Sequence, residues 1–463
     1  MKNHSFDTCI ARVFLALLST ALCQLSTPAV ADDAWKAGVA QVVITPDKLM
    51  WMSGYGARDH RAEGKLHDLY VKALVVEGAD ASRFVLVTLD LVGIDRLTMQ
   101  TVCERIEKEH GVPRKQIALN CSHTHCGPVA GTTLLSMYSF GPEDHQLVRD
   151  YTDVLHDKIV ACVGLALKNV APARVSWGNG KATFAVNRRA NKEAEIVQLR
   201  EAGTPLNGPS DHDVPVLAVH GEDGSLKAVA FGYACHATVL SFYQWCGDYP
   251  GFAYRALEER HPGAIALFWA GCGADQNPLP RRTVELAQKY GTQLADSVDA
   301  VLASNKMQPL RGAIDAKYEE VTLDFQRVPT QTELEATAKT GVRFEAGRAR
   351  MFLAELAAGR PIAANYPYPV QVWKLGADGP RWVLLGGEVV VDYALRIKDE
   401  LGPQQTWVAG YSNDVMAYIP SRRVLGEGGY EGATSMIYYG RPSPWAPMLE
   451  EAIVKSVRTQ AGK

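Results

Sequence analysis

Nowhere does the chain gather lysine or arginine into a basic tract, and its formal net charge is only -3 over 463 residues. Nucleic acid and anionic membrane surfaces are therefore not expected partners. Past the N-terminal leader, no apolar run approaches the ~20 residues that a membrane-spanning helix needs. No Cys-x-x-Cys pair occurs, which argues against a structural zinc knuckle. There is no repeat of fixed period and no low-complexity linker, so a solenoid or a string of small domains is excluded. The stretch Gly271 to Pro278 contains neither serine nor threonine, so it cannot supply a hydroxyl nucleophile.

The composition that remains is that of an ordinary globular protein, 47% hydrophobic and 21% charged, with length enough for a large core. The first residues read as a targeting segment. Lys2 and Arg12 carry positive charge, Val13 to Leu22 is a short apolar run, and Ala29-Val30-Ala31 is an A-x-A cleavage pattern before Asp32-Asp33. The expectation is a signal peptide over residues 1–31, a mature chain over 32–463, and a secreted or periplasmic protein. Export permits disulfides. Cys103, Cys121, Cys126, Cys162, Cys235, Cys246 and Cys272 remain after cleavage. Seven is odd, so at least one thiol is free or paired between chains, and connectivity does not follow from spacing.

Strands and helices alternate along the mature chain. Trp35 to Pro46 reads as a strand ended by proline, followed by the glycine-rich loop Met52-Ser53-Gly54-Tyr55-Gly56, where backbone can approach a ligand closely. Tyr70 to Glu77 and Phe84 to Leu89 read as strands, Arg96 to His110 as a helix stopped by Gly111. His145 to Val170 is an amphipathic helix, and Val175 to Phe184 is strand-like. Val214 to His220 and Leu226 to Cys235 form a hairpin. Gly251 to His261 and Thr283 to Ala303 read as helices, Ala264 to Ala270 and Leu310 to Phe325 as strands. Thr330 and Glu333 make a capping box for a helix running toward Gly359. A second hairpin, Val370 to Leu375 with Trp382 to Leu385, leads through Gly386-Gly387-Glu388 into a helix ending at Leu401. Residues 410–420 and 426–440 are loop-like, and Glu450 to Thr459 is helical. The fold class expected is α/β: one large catalytic domain with a mixed sheet, or two sheets, layered between helices.

Chemistry concentrates at strand ends. The apolar run Ile117-Ala118-Leu119 delivers Asn120-Cys121-Ser122-His123-Thr124-His125-Cys126-Gly127-Pro128. On an extended chain side chains at i and i+2 point the same way, so both imidazoles enter one cleft. The strand ending at Cys235 delivers His236, the second hairpin delivers Glu388, and Tyr418 lies in an ordered loop. Two histidines and a carboxylate with an open position make a catalytic zinc set. Asp90, also at a strand end, is placed to orient a ligand histidine. Each residue has a plainer alternative. His236 can be a satisfied core histidine, Glu388 a charge favoured at a helix N-terminus, Tyr418 a packing residue and Arg188 a solvated cation.

Taken in order, the Met52-Ser53-Gly54-Tyr55 loop, His123-Thr124-His125-Cys126-Gly127-Pro128, Asn187-Arg188, His236, Asp275 to Pro278, Gly387-Glu388, and Tyr418 with Tyr430-Glu431-Gly432 resemble the N-terminal catalytic domain of the neutral/alkaline ceramidases. The resemblance runs from about Gly38 to Tyr439. It implies zinc held by His123, His236, Glu388 and Tyr418, the last as an unusual phenolate ligand. It also implies that His125 meets the substrate carbonyl or its oxyanion, and that Arg188 and Tyr430 contact substrate. Two departures stand out. Asn277 occupies the place of the family's serine before proline, and can only position substrate through its amide. The immunoglobulin-like domain that ends the larger members has no counterpart here.

The reading is a secreted, zinc-dependent amidohydrolase in which a metal-bound water attacks an amide bond, with a ceramide-like N-acyl lipid as first candidate. The alternatives are a metal hydrolase of the same fold acting on a polar N-acyl amine, ester or glycoside, and a non-catalytic binding protein. The partner expected is a small-molecule or lipid substrate.

Overall fold

The computed structural model describes residues 35–138 and 140–463; the expected leader, 1–31, lies outside them. Two sheets stack face to face, with helices on both outer sides. The larger sheet runs in the order Ile265–Ala270, Leu226–Tyr233, Asp213–Gly221, Ala171–Lys181, Lys36–Val43, Tyr70–Glu77, Arg83–Leu89, Ile117–Cys121, and the short strand Gln308–Pro309 pairs with Ala171–Lys181 off this path. It is mixed. The two outermost pairs, Ile265–Ala270 with Leu226–Tyr233 and Arg83–Leu89 with Ile117–Cys121, are parallel. The pairs between them are antiparallel. The smaller sheet is ordered Ile314–Asp324, Asn365–Leu375, Arg381–Leu385, Thr406–Ala409.

Apolar alternation explains the stacking. The inward faces of both sheets meet in one cluster that includes Trp177, Leu217, Trp269, Ile314, Trp373, Trp382 and Trp407. Trp382 is its hub, with ring centroids 5.1 Å from Trp269, 5.9 Å from Trp373 and 5.3 Å from Trp407. Such pairs contribute about 0.5–1.5 kcal/mol each beyond the area they bury. The outer face of the large sheet is covered by Arg96–His110, Pro142–Lys168, Asp248–Arg260 and Val284–Leu302, whose buried residues share its cluster. Val391–Leu401 and Leu449–Ala461 cover the outer face of the small sheet. The result is one large four-layer domain, the architecture expected of alternating strands and helices. Among the described residues, no helix is long and apolar enough to cross a membrane.

Local chemistry sets the helix ends. Asp95 caps Arg96–His110 by accepting from the Thr98 N–H at 2.8 Å, and Gly111 ends it in the left-handed conformation at φ 66°. Thr330 and Glu333 form the expected capping box. The helix they start does not run to Gly359. It stops at Thr340, extended backbone at Gly341 breaks it, and Arg343–Ala357 is a second helix. The strand expected to continue to Phe184 ends at Lys181, and Ala185–Asn187 pairs instead with Gln276–Pro278. That small ladder sets Arg188 and Asn277 side by side. The stretch 426–440 holds short helical turns where a loop is expected.

Candidate metal centre and active-site pocket

The parallel strands at both edges of the large sheet end on the same side of the molecule, and the site lies beyond them. After Cys121 the chain leaves the sheet through Ser122 N–H to Leu89 O (2.8 Å) and His123 N–H to Leu91 O (3.0 Å). His123 adopts φ 60°, a conformation uncommon for a residue with a side chain. Strand alternation is thus not what brings the two imidazoles together. The left-handed turn at His123 does, and it leaves the two Nε2 atoms 3.1 Å apart.

Backbone carbonyls orient two of the rings. His123 Nδ1–H donates to Val92 O at 2.6 Å, and His236 Nδ1–H donates to Gly273 O at 2.8 Å. With the proton fixed on Nδ1, each Nε2 presents a bare lone pair, the arrangement that metal-ligating histidines adopt. Asp90, expected to orient a histidine, instead accepts from Tyr70 N–H and Tyr254 O–H, both at 2.9 Å. A carbonyl already in the adjoining loop makes a carboxylate unnecessary.

Glu388 and Tyr418 face one another across a two-residue parallel ladder. Glu388 Oε1 accepts from the Tyr439 hydroxyl. Glu388 Oε2 lies 3.1 Å from His123 Nε2 and 3.1 Å from His236 Nε2. The Tyr418 hydroxyl is 3.3 Å from His236 Nε2. Ligands bound at 2.0–2.1 Å to a tetrahedral ion stand about 3.3 Å apart, so these separations match a single ion among four groups. All are buried, at 2% exposure for His123, 1% for His236, 3% for Glu388 and 3% for Tyr418. One nitrogen each of His123, His125 and His236 also lies within 4.8 Å of the others, so His125 borders the same centre.

The donor chemistry supports a cation there. Glu388 Oε2 is buried and receives no hydrogen bond among the described residues. It faces two nitrogens whose protons are on the far side of the ring, and lone pairs face one another until a cation sits among them. Burial, then the neighbouring Arg188 cation, pushes His236 down to about 4. Burial, then His123 and His236, holds His125 well below its ordinary range. Both are neutral at pH 7, as ligation requires. Burial, then Glu388, raises the Tyr418 phenol, so its oxygen keeps a proton unless a cation displaces it.

Above the centre opens a cavity of ≈ 580 Å³ lined by His125, Arg188, His236, Asn277, Tyr418 and Tyr430, among others. Arg188 Nε donates to Glu431 at 2.7 Å, Nη1 to Asn277 Oδ1 at 3.3 Å and Nη2 to the Tyr418 hydroxyl at 3.1 Å. Burial by itself would lower this guanidinium, but Tyr418 and Glu431 outweigh it and hold it above its ordinary range. Tyr430 is 41% exposed, with its ring edge-on to Tyr418 at 5.2 Å. The wall behind His125 is Gly54, at φ 100°, where a Cβ would come within 2.4 Å of the imidazole. The glycine-rich loop therefore serves close approach to this ring.

Cys272 is not at the pocket. It is buried in the small-sheet core at 0% exposure, and burial, then Asp211, raises its thiol well above the ordinary range. All seven cysteines of the described chain are free and buried. Sequence reasoning gave no role to Tyr439, Glu431 or Tyr411, whose ring lies against His123 at 4.4 Å between centroids. Glu431 stood in a quoted motif and Tyr439 in a tyrosine-rich stretch, but neither position carried a sign of its contact.

The family described as neutral/alkaline non-lysosomal ceramidase, N-terminal, matches residues 35–266, half of the chain. The chain belongs to this ceramidase family. Its fold is that of solved ceramidases. The neutral ceramidase of Pseudomonas aeruginosa superposes with a TM-score of 0.70 at 20% identity, covering 93% of this chain and 74% of that one. A structure described as ceramidase complexed with C2 superposes at 0.71 with 18% identity, covering 93% of this chain and 75% of that one. At such identity the likeness establishes the ceramidase fold and nothing finer. No curated protein matches the chain.

Proposed function

We propose that the protein is an exported zinc hydrolase that cleaves the amide bond of an N-acyl substrate. His123, His236, Glu388 and Tyr418 are the metal ligands in this reading. The observation that carries it is Glu388 Oε2, buried, without a donor among the described residues, and 3.1 Å from two imidazole nitrogens whose protons are held elsewhere. Zinc bound in such a set supplies Lewis acidity and activates a water for attack near neutral pH.

The chain's own residues do the rest. His125 borders both the ligand set and the cavity, so its ring can meet the substrate carbonyl oxygen as charge develops there. Arg188 commits three N–H groups to Glu431, Asn277 and Tyr418. A guanidinium has five, so two remain for substrate, and the charge beside Tyr418 favours its ionised form. Tyr430 closes the pocket above Arg188, and Asn277 positions substrate from the floor.

Family membership makes a ceramide-like lipid the first candidate. A second reading, a polar N-acyl amine, is favoured by the four arginines and two glutamates of the cavity wall. The test is metal analysis of the purified protein together with release of free acid from ceramide and from polar N-acyl amines. About one zinc per chain is expected, with hydrolysis abolished by chelation and restored by zinc. Full metal content in both His123→Ala and His236→Ala would sink the ligand assignment. Protein recovered from the cytoplasm with Met1 intact would sink export and cleavage after Ala31.

A further inference from the structure

We propose that the pocket selects amides bearing a compact anion such as a carboxylate, and that Arg282 is the residue that receives it. This rests on the amide-hydrolase reading above and narrows its substrate. The cavity is lined by four arginines, Arg188, Arg189, Arg281 and Arg282, and by two glutamates, Glu193 and Glu431. Both glutamates are already committed. Glu431 bridges Arg188 at 2.7 Å and Arg189 at 2.6 Å. Glu193 takes Arg281 through three contacts of 2.8 to 3.0 Å. Arg282 has no carboxylate partner among the described residues. Its one side-chain hydrogen bond among those residues is a long one, from Nη1 to the Tyr55 hydroxyl at 3.4 Å.

The backbone fixes this arginine at the rim. Arg282 adopts φ 98°, a sparsely populated conformation for a residue with a side chain, and its N–H donates to Val239 O at 2.7 Å. The guanidinium carbon lies 5.7 Å from the Tyr55 ring centroid, and that ring lies 4.7 Å from His125. Arg282, Tyr55 and His125 thus form one continuous wall from the mouth to the metal centre. An unbalanced cation on such a wall attracts an anion and offers it a forked set of donors.

The zinc-loaded protein would be assayed with N-hexanoylglycine and N-hexanoylethanolamine, which share an acyl chain and differ in carboxylate against hydroxyl. A kcat/KM about tenfold higher for the glycine amide at low ionic strength is expected from one charge-assisted contact, shrinking as salt rises. Arg282→Ala should remove that preference through KM and not kcat, with zinc content intact, and Arg282→Lys should restore part of it. Equal or better use of the ethanolamide, or a preference that survives Arg282→Ala, would overturn the anion site and leave the hydrolase standing. If neither amide is cleaved, calorimetric binding of the same two compounds decides. Tighter glycine-amide binding that Arg282→Ala removes upholds the anion site without the hydrolase, and indistinguishable binding overturns it.

Discussion

Asn120 and Ala270 join the two edges of the large sheet. The Asn120 Oδ1 accepts the Ala270 N–H at 2.8 Å, although the strands that carry them stand at opposite ends of the strand order. The same amide donates to Gly410 O at 2.8 Å and to Ser412 Oγ at 3.0 Å. One fully buried side chain thus ties together the strand that leads to His123, the strand that leads to Asn277 and the loop that leads to Tyr418. Asn120→Ala would leave the buried Ala270 N–H without its partner, at about 1–3 kcal/mol, while Gly410 O keeps the Ser412 hydroxyl at 2.9 Å. Chemical denaturation should show a loss of that size, together with weaker metal binding. A wild-type midpoint would show that the three segments hold their places without this amide.

Tyr439 holds Glu388 by donating its hydroxyl to Oε1, which leaves Oε2 turned toward the two histidines. Tyr439→Phe keeps the packing and removes only that hydrogen bond. Partners that orient a ligand in this way are worth about 10–100-fold in metal affinity. Competition with a chromophoric chelator should show a decrease in that range with unchanged circular dichroism. Unaltered affinity would mean that the Glu388–Tyr418 ladder alone orients the carboxylate.

His123, His236 and Glu388 were readable because each lies at the end of an apolar run, whereas Tyr418, Arg188 and Tyr430 stood out only through the order of the family's motifs. Ile117-Ala118-Leu119 announces the loop of His123, and the hairpin ending at Leu385 announces Glu388. The helix over Arg96–His110 was equally plain, since Asp95 and Gly111 mark its ends by local chemistry. What orients the site was not readable. Val92 O and Gly273 O are backbone groups that every residue possesses, and only the fold decides which carbonyl meets which ring. Tyr439 and Glu388 are 51 residues apart, and no periodicity connects them. The turn at His123 was hidden for another reason. Left-handed backbone is expected at glycine, and a histidine adopts it here because Leu91 O and Val92 O hold both its N–H and its ring.

His236 sets a pH limit on the metal-free fold. Its folded value of about 4 lies below the ordinary 6.5, because burial disfavours the imidazolium. The unfolded chain therefore takes up the proton first as pH falls. The stability that His236 contributes is present above about 6.5 and is lost as pH drops toward 4, amounting to about 3 kcal/mol at 1.36 kcal/mol per unit. Denaturant midpoints of the metal-free protein should fall across that window. His236→Asn, which cannot titrate there, should flatten the profile. A slope that is the same in both proteins would assign the loss to other groups, His125 first among them.

Cys272 separates a metal mechanism from a thiol one. It is the one thiol or hydroxyl side chain between Gly271 and Pro278, yet its sulfur is buried among core residues of the small sheet, away from the cavity. Its thiol is raised well above the ordinary range by burial, then by Asp211. A thiol nucleophile needs the opposite on both counts, since exposure and a lowered pKa generate the thiolate. Cys272→Ala should therefore retain most activity and lose about 1 kcal/mol or less in stability, the amount expected for removing one small buried group. Pre-steady-state release of the amine should show no burst, because no acyl-enzyme forms. Mass spectrometry of protein quenched during turnover gives the decisive reading. An acyl adduct on Cys272 would place the reaction at the thiol and remove Glu388, His123 and His236 from its centre.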